Sequence, residues 1–510
     1  MDPSTAGEQG VSRLTDEQLM AAGAPFRRVF LEAAPGSGKT TVAAHRFGVC
    51  RYRRSRLPSG ALDPRAVVAV SFTRSATREL RERVTKTWGP SGLPWPHRIV
   101  TLDSLIYDLL RTLLTAGFIR WPGGHTSLEV HDTWKVLVEH DWTRSVAQLY
   151  LFKDEVAVRT TYDESNTRPK PEAFAEAVSA GLCTHADVRR ILDFALKSVE
   201  ISTFLQGQLA QTIRAFIVDE VFDANELDIR VIELALAAGV EVVLIGDPWQ
   251  ALYGFRGARP DLIPGLLTTA NMRTLRLTKS FRWRTAEQAM LANDLRLGRP
   301  VTLESVSEDD LLTAEVDVVL ASLWEGLWSA GSRVLPTAWG SAKGNIVEAA
   351  TTLLLNQSIS VLFGLRATYL GDALSTLGMV ESQLQELEYG LSGVLELVEA
   401  ADTRDEWRAA YGELASVVGS VTAVSFPRVH ANYVARLKLL QPRLRAAGQV
   451  VPGMTIHQAK GREWDVVACR LTDVEGAHLA RGLTSASEKH RQLYVSCTRA
   501  RFATRRLIVD

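Results

Sequence analysis

Short apolar runs set the rhythm of the chain's first third, each followed by a polar, helix-compatible stretch. Val29-Phe30-Leu31, Ala66-Val67-Val68-Ala69-Val70 and Ile99-Val100 do not alternate apolar with polar residues, so each reads as a strand covered on both faces. Helical sequence follows from about Lys39, from Ser75 to about Thr87, and after Asp103-Ser104. Alternation at this spacing predicts an α/β fold with a parallel, doubly wound sheet. From about Leu113 to Leu209 the rhythm stops. Asp132 to Glu139 and Ala186 to Ser198 read as helices and Thr161 to Pro171 as a polar loop, so an inserted, mostly helical subdomain is expected there. The sheet resumes at Ala215-Phe216-Ile217-Val218 and again at Glu241-Val242-Val243-Leu244-Ile245.

The second half repeats the plan less clearly. A strand is expected around Arg333 to Thr337, and 360–447 is helix-like, with Leu374, Leu377, Leu384, Leu387, Leu391, Leu395 and Leu397 at mostly i, i+3 or i+4 spacings that mark core packing. Thr455 to Cys469 and Arg491 to Val509 look like closing elements of a second sheet. The expected division is 1–112 with 210–275 as a first domain, 113–209 as its insertion, 276–355 with 450–510 as a second domain, and 356–449 as a reduced helical insertion. Residues 1–13 read as a loose start, before a helix capped by Thr15 or Asp16.

Chemistry concentrates where the first strand ends. In Phe30 to Thr41, FLEAAPGSGKTT, a buried strand turns through Ala34-Pro35-Gly36-Ser37-Gly38 into a helix starting near Lys39. Such a junction holds polyphosphate. Backbone N–H groups and the helix N-terminus surround the phosphates, Lys39 adds a full charge, and the Thr40 hydroxyl, followed by Thr41, can reach Mg²⁺. Against GxxxxGK[ST], Ala33 stands in place of the first glycine. Asp219-Glu220 ends a later strand on the rim expected to carry this loop, so Asp219 is a candidate Mg²⁺ ligand and Glu220 a candidate base for the attacking water.

Composition narrows the class little. The chain has 510 residues, 46% of them hydrophobic and 23% charged, which allows several ordinary globular cores. Lys+Arg and Asp+Glu balance at 58 each, so overall charge does not argue for nucleic acid. Arg46, Arg51, Arg53, Arg54 and Arg56, and then Arg74, Arg78, Arg81 and Arg83, form local clusters that suit either backbone phosphates or solvated faces. Cys50, Cys183, Cys469 and Cys497 are far apart with no CxxC pair, which suggests buried small hydrophobes rather than disulfides or zinc. The polar N-terminus lacks a signal-like apolar segment and no run of 18 apolar residues occurs, so a cytoplasmic location with no membrane contact is expected.

Gly246-Asp247-Pro248-Trp249-Gln250-Ala251-Leu252-Tyr253-Gly254-Phe255-Arg256-Gly257-Ala258 is far more specific, and resembles motif III of the UvrD/Rep/PcrA-like superfamily-one DNA helicases. Other motifs of that family follow the same order. Leu14 to Gln18 resembles the Q motif, AAPGSGKT motif I, AVSFTRSATREL motif Ia, VTLDSL motif Ib, IVDEVFD motif II, LTKSFR motif IV, GMTIHQAKGREWDVV motif V and QLYVSCTRA motif VI.

The resemblance implies two RecA-like P-loop domains with mostly helical inserted subdomains, and ATP with Mg²⁺ between the domains. It implies that Gln18 reads the adenine edge, Phe281 stacks on its face where Tyr is usual, Glu463 contacts the ribose, Gln250 senses the γ-phosphate, and Arg282 and Arg499 act as arginine fingers beside the chemistry of Lys39, Thr40, Asp219 and Glu220. Phe72, Tyr253 and Phe255 would stack on bases, with Thr73, Ser104, Arg256, Thr455 and His457 on the strand's backbone. The implied activity is ATP-dependent 3′ to 5′ translocation on single-stranded DNA or unwinding of tailed duplex, in DNA repair or, as for the helicase subunits of Gabija-type antiviral defence systems, beside a nuclease.

Three departures bear on this. Phe222 stands near the glutamine of the family's DExxQD, which links the ATP site to the DNA track. Asp103 replaces a common His in motif Ib, and Arg282 to Met454 is a short interval. These leave a second reading open, an ATP-gated DNA-binding or sensor subunit with weak or no unwinding. A metabolic P-loop kinase conflicts with the chain length and with Arg256, Arg282 and Arg499 in motif-like surroundings.

Overall fold

Backbone pairing gathers the buried runs into two separate six-stranded sheets, every strand parallel to its neighbours. The computed structural model describes residues 14–53, 59–134, 137–138, 140–141, 145–162, 168–340, 345–422, 424–428, 431–446 and 448–509, so the expected loose start at 1–13 and the cluster residues Arg54 and Arg56 lie outside the described residues. The chain divides into two compact units between Phe281 and Arg282.

The first sheet contains β1 (Arg28–Ala33), β2 (Ala66–Ser71), β3 (Arg98–Thr101), β4 (Ile213–Val218), β5 (Glu241–Gly246) and β6 (Arg273–Leu277), in the order β6-β1-β5-β4-β2-β3. Helices cover both faces, which is why β2 and β5 are buried along their whole length. Parallel registry places the C-terminal ends of β1, β4 and β5 on one rim, with Glu32 beside Gly246 and Val218 beside Leu244. Strand β6 extends the first unit beyond the expected limit at 275. Its pairing runs from Val29↔Arg273 to Ala33↔Leu277, and the Ala34 N–H donates to Leu277 O at 3.2 Å.

The insertion between β3 and β4 is not all helix. Helices Pro171–Ser179, His185–Ala195 and Val199–Thr212 are present, but Ser145–Phe152 and Glu155–Tyr162 form an antiparallel hairpin through the left-handed Lys153. Among the described residues of the expected helix Asp132 to Glu139, none is α-helical. The expected loop from Thr161 begins within the hairpin's second strand, and its 163–167 portion lies outside the described residues. Alternating, β-branched sequence such as Val156-Ala157-Val158-Arg159-Thr160-Thr161 explains the hairpin.

Arg46 fits neither reading offered for its cluster. It is 1% exposed, bonds the Ala22 and Phe26 carbonyls, and pairs with buried Glu241 at 2.8 Å. It therefore holds the core of this unit rather than facing a phosphate or solvent.

In the second unit β7 (Glu304–Ser307), β8 (Val318–Ala321), β9 (Val334–Pro336), β10 (Val451–Thr455), β11 (Trp464–Arg470) and β12 (Ala500–Ile508) lie in the order β7-β12-β11-β8-β10-β9. Helices Ile346–Phe363, Leu370–Leu377, Leu384–Ala400, Arg404–Gly419 and Ala431–Arg445 build a separate apolar cluster. Leu374, Leu377, Leu387 and Leu391 are buried in it, while Leu397 is exposed. Among the described residues, Ile346–Phe363 is the one helix long and apolar enough to cross a membrane, and most of it is buried in this cluster. All four cysteines are buried and unbridged.

Candidate nucleotide and strand-binding site

The turn after β1 is shaped by its glycines. Gly36 and Gly38 have φ of 70° and 84°, a region side chains avoid, and Gly38 caps helix Lys39–Tyr52. A Cβ on Gly38 would sit 2.7 Å from Gln18 Nε2. Gln18 is buried because it braces this turn: its Nε2 donates to Ser37 O at 2.9 Å. Its Oε1 accepts from Thr15 N at 3.0 Å, and the Thr15 hydroxyl caps the helix in return, so the cap is Thr15 rather than Asp16. The Ser37 hydroxyl donates to Ala34 O at 2.7 Å. Pro35 and Ser37 are buried, whereas Lys39, Thr40 and Thr41 are half-buried at the mouth. Thr41 accepts from Arg83 at 2.9 Å. The Phe281 N–H donates to Gly36 O at 2.9 Å, holding an exposed ring beside the turn.

Asp219 and Glu220 follow β4 on the same rim. The Asp219 N–H donates to Val70 O at 2.9 Å, which anchors the residue between β4 and β2, and its side chain is 4% exposed. Burial, and after it the charge on Glu220, push the Asp219 carboxyl up to about 7. Glu220 is left-handed at φ 58°, costing roughly 1 kcal/mol, and its carboxylate lies 3.8 Å from Lys39 Nζ. Two neighbouring carboxylates, one of them buried, repel each other, and a divalent cation would relieve that repulsion. The glycine cradle and this carboxylate pair together fit a nucleotide phosphate with Mg²⁺, which Gly36, Gly38, Lys39, Thr40 and Asp219 would hold.

The segment after β5 contains the rest of the first unit's candidates. Gln250 is buried and donates to Asp247 Oδ2 at 2.9 Å, and Asp247, fully buried, also accepts from Trp249 N–H at 3.2 Å. Asp247 was not a candidate from the sequence; its place directly after an apolar strand was the available signal. Phe255 is 64% exposed, its ring centroid 6.0 Å from that of Tyr253, and the Arg256 guanidinium lies over both rings at 5.1 and 5.5 Å. An exposed Phe255 ring beside a half-buried Tyr253, with a cation over both, suits stacked bases. Phe72 is half-buried against the core. Thr73 caps helix Arg74–Trp88, and Ser104 is exposed near the start of helix Leu102–Thr115. Phe222, which stands near the motif II glutamine, is buried and meets Phe30 edge-on at 6.1 Å.

In the second unit the later motifs meet around Arg282. This residue is 9% exposed, its Nε donates to Glu463 at 3.0 Å and its Nη1 to Thr498 O at 2.9 Å. Burial lowers its pKa and the Glu463 contact opposes that shift. Arg499 is buried, with Nε donating to Val495 O at 3.1 Å. Thr455 is buried at the end of β10 and His457 is half-buried in the following turn.

A glycine-lined turn, a carboxylate pair on the same rim, and a second parallel sheet define a P-loop fold of the two-sheet type. The chain belongs to the UvrD/Rep helicase family: the model for the UvrD/REP helicase N-terminal domain matches residues 14–270, and that for the UvrD-like helicase C-terminal domain matches 431–508. It is 25% identical over 321 residues to DNA helicase II of Salmonella typhimurium, covering 58% of this chain and 43% of that protein. It is 26% identical over 287 residues to DNA helicase II of Escherichia coli, covering 53% and 38% respectively. Against ATP-dependent DNA helicase UvrD2 of Mycobacterium tuberculosis, identity is 26% over 578 residues, covering 98% and 79%. The chain thus spans less than half the length of the two DNA helicase II relatives it matches.

Proposed function

We propose that this protein is an ATP-dependent DNA helicase or translocase, moving 3′ to 5′ on single-stranded DNA. The observation that carries the reading is the rim of the first sheet, where the Gly36–Gly38 turn, Lys39 and the Asp219-Glu220 pair stand together. Mg²⁺ with ATP supplies the reactive phosphoanhydride and part of its charge neutralisation. Lys39 and the backbone of the turn bind and orient phosphate, Thr40 and Asp219 hold the cation, and Glu220 takes a proton from the attacking water. Gln250, fixed by Asp247, senses the γ-phosphate. Arg282 and Arg499 neutralise transition-state charge as fingers, Glu463 contributes to the ribose contact, and Gln18 and Phe281 hold the base. Tyr253, Phe255 and Phe72 stack on DNA bases, while Thr73, Ser104, Arg256, Thr455 and His457 meet its backbone.

Phe222 favours one alternative, an ATP-gated sensor subunit serving a partner such as a nuclease, because an apolar side chain there cannot relay hydrogen bonds. Duplexes with a 3′ or a 5′ single-stranded tail separate the readings. Strand displacement from the 3′-tailed substrate alone is the expected result. DNA-stimulated hydrolysis without displacement would replace the motor by the sensor.

A further inference from the structure

One guanidinium ties together three segments that the sequence treats separately. Arg189, in helix His185–Ala195 of the insertion, donates from Nε to Asp103 Oδ1 at 2.5 Å and from Nη1 to Asp228 Oδ1 at 2.8 Å. Asp103 lies in the first turn of helix Leu102–Thr115, next to Ser104. Asp228 is 2% exposed and forms the capping box of helix Glu226–Ala237 with Asn225, only a short turn beyond Asp219-Glu220. That turn is bonded in its turn to the segment following Phe255-Arg256, since the Arg259 N–H donates to Ala224 O at 2.7 Å. An open cleft of about 390 Å³ runs along this junction, lined by Arg189, Asn225, Glu226, Gly257 and Arg259 among others.

The charges explain why the contact is firm. Asp103, read alone, puts a negative charge where a DNA phosphate is expected, and Asp228 is a nearly inaccessible carboxylate. Arg189 neutralises both with separate nitrogens of one planar fork, which a lysine could not reproduce. Burial works to lower the Arg189 pKa, and the charges of Asp228 and Asp103 outweigh it. Phe222, near the family's glutamine, is buried and apolar, while Arg189 gives a polar link from the Ser104 segment to helix Glu226–Ala237, which follows the Asp219-Glu220 turn.

We propose that Arg189 is a positioning residue that couples strand binding at the Ser104 segment to the Asp219-Glu220 turn, through Asp103 on one side and Asp228 on the other. This rests on the helicase reading and adds the route by which DNA stimulates hydrolysis. Arg189 touches neither reactant, so its effect falls on communication rather than on the chemical step.

The test compares wild type with Arg189→Gln, Arg189→Lys, Asp103→Asn and the Arg189→Gln/Asp103→Asn double variant. ATP turnover is measured without DNA and with saturating oligo-dT, beside the thermal midpoint of each protein. The expected result is DNA-free turnover within about twofold of wild type and a loss of stimulation of about fivefold or more in Arg189→Gln and Asp103→Asn, with Arg189→Lys intermediate. The double variant should be no worse than either single one, because both break the same link. Asp103→Asn preserves the Arg189–Asp228 pair and carries the test if Arg189→Gln folds poorly. Full stimulation in Asp103→Asn, or equal proportional losses with and without DNA, overturns the proposal alone. A wild type that hydrolyses ATP with no response to DNA removes the functional reading and this proposal with it.

Discussion

Asp219 makes the strongest residue-scale statement, because its carboxyl is held near neutrality by burial. A group whose pKa rises from 3.8 to about 7 on folding stabilises the native state below the lower value and loses that contribution as pH climbs through the upper one. Metal-free protein should therefore lose stability between about pH 4 and about pH 7, and Mg²⁺ should restore part of it on the alkaline side. Urea midpoints in chelator at about pH 5 and about pH 8 measure this, and Asp219→Asn should flatten the difference; an unchanged slope in that variant would assign the effect elsewhere. Arg499 is the residue to separate catalysis from binding. Arg499→Ala should lower turnover by about 10³ while nucleotide affinity changes less than about tenfold, and equal losses in both would argue against a finger.

The element scale is where sequence and structure part company. Strand–turn–helix at Phe30 to Thr41 was legible because a buried strand, a glycine turn and a Lys-Thr start are each required by the same backbone geometry. The hairpin Ser145–Phe152 with Glu155–Tyr162 was not, because its turn, Lys153-Asp154, lacks the Asn-Gly or Asp-Gly signature. Likewise β6 reads as a short, weak run, and only its pairing with β1 brings it into the first sheet. The role of Gln18 was half legible: its motif was clear, but its bond to Ser37 O depends on where helix Asp16–Gly23 docks. That helix offers its own test. Thr15→Ala removes the hydroxyl that accepts from the Gln18 backbone N–H, which should cost about 1 kcal/mol and loosen the helix end that carries Gln18, while the backbone N–H of residue 15 still donates to Gln18 Oε1. Denaturant unfolding together with nucleotide affinity reads both effects, and a change in neither would show that the turn is held without this helix.

At the scale of the whole molecule, two parallel sheets share one sequence logic but separate tasks. The first keeps its glycine turn, carboxylate pair and Tyr253–Phe255–Arg256 cluster along neighbouring strand ends, so the proposed nucleotide and strand contacts would be placed by one sheet. The second collects Arg282, Glu463 and Thr498 from three motifs far apart in the chain into one bonded group. Sequence order could announce those motifs but not that Arg282 would be pinned by Glu463. The account as a whole requires that strand binding be felt at Lys39. The most direct measurement is ATP turnover of the full chain with and without saturating single-stranded DNA, for wild type and Lys39→Ala side by side. Turnover raised about tenfold or more by DNA in wild type and absent in Lys39→Ala is the predicted result; DNA-stimulated turnover that persists in Lys39→Ala would contradict it.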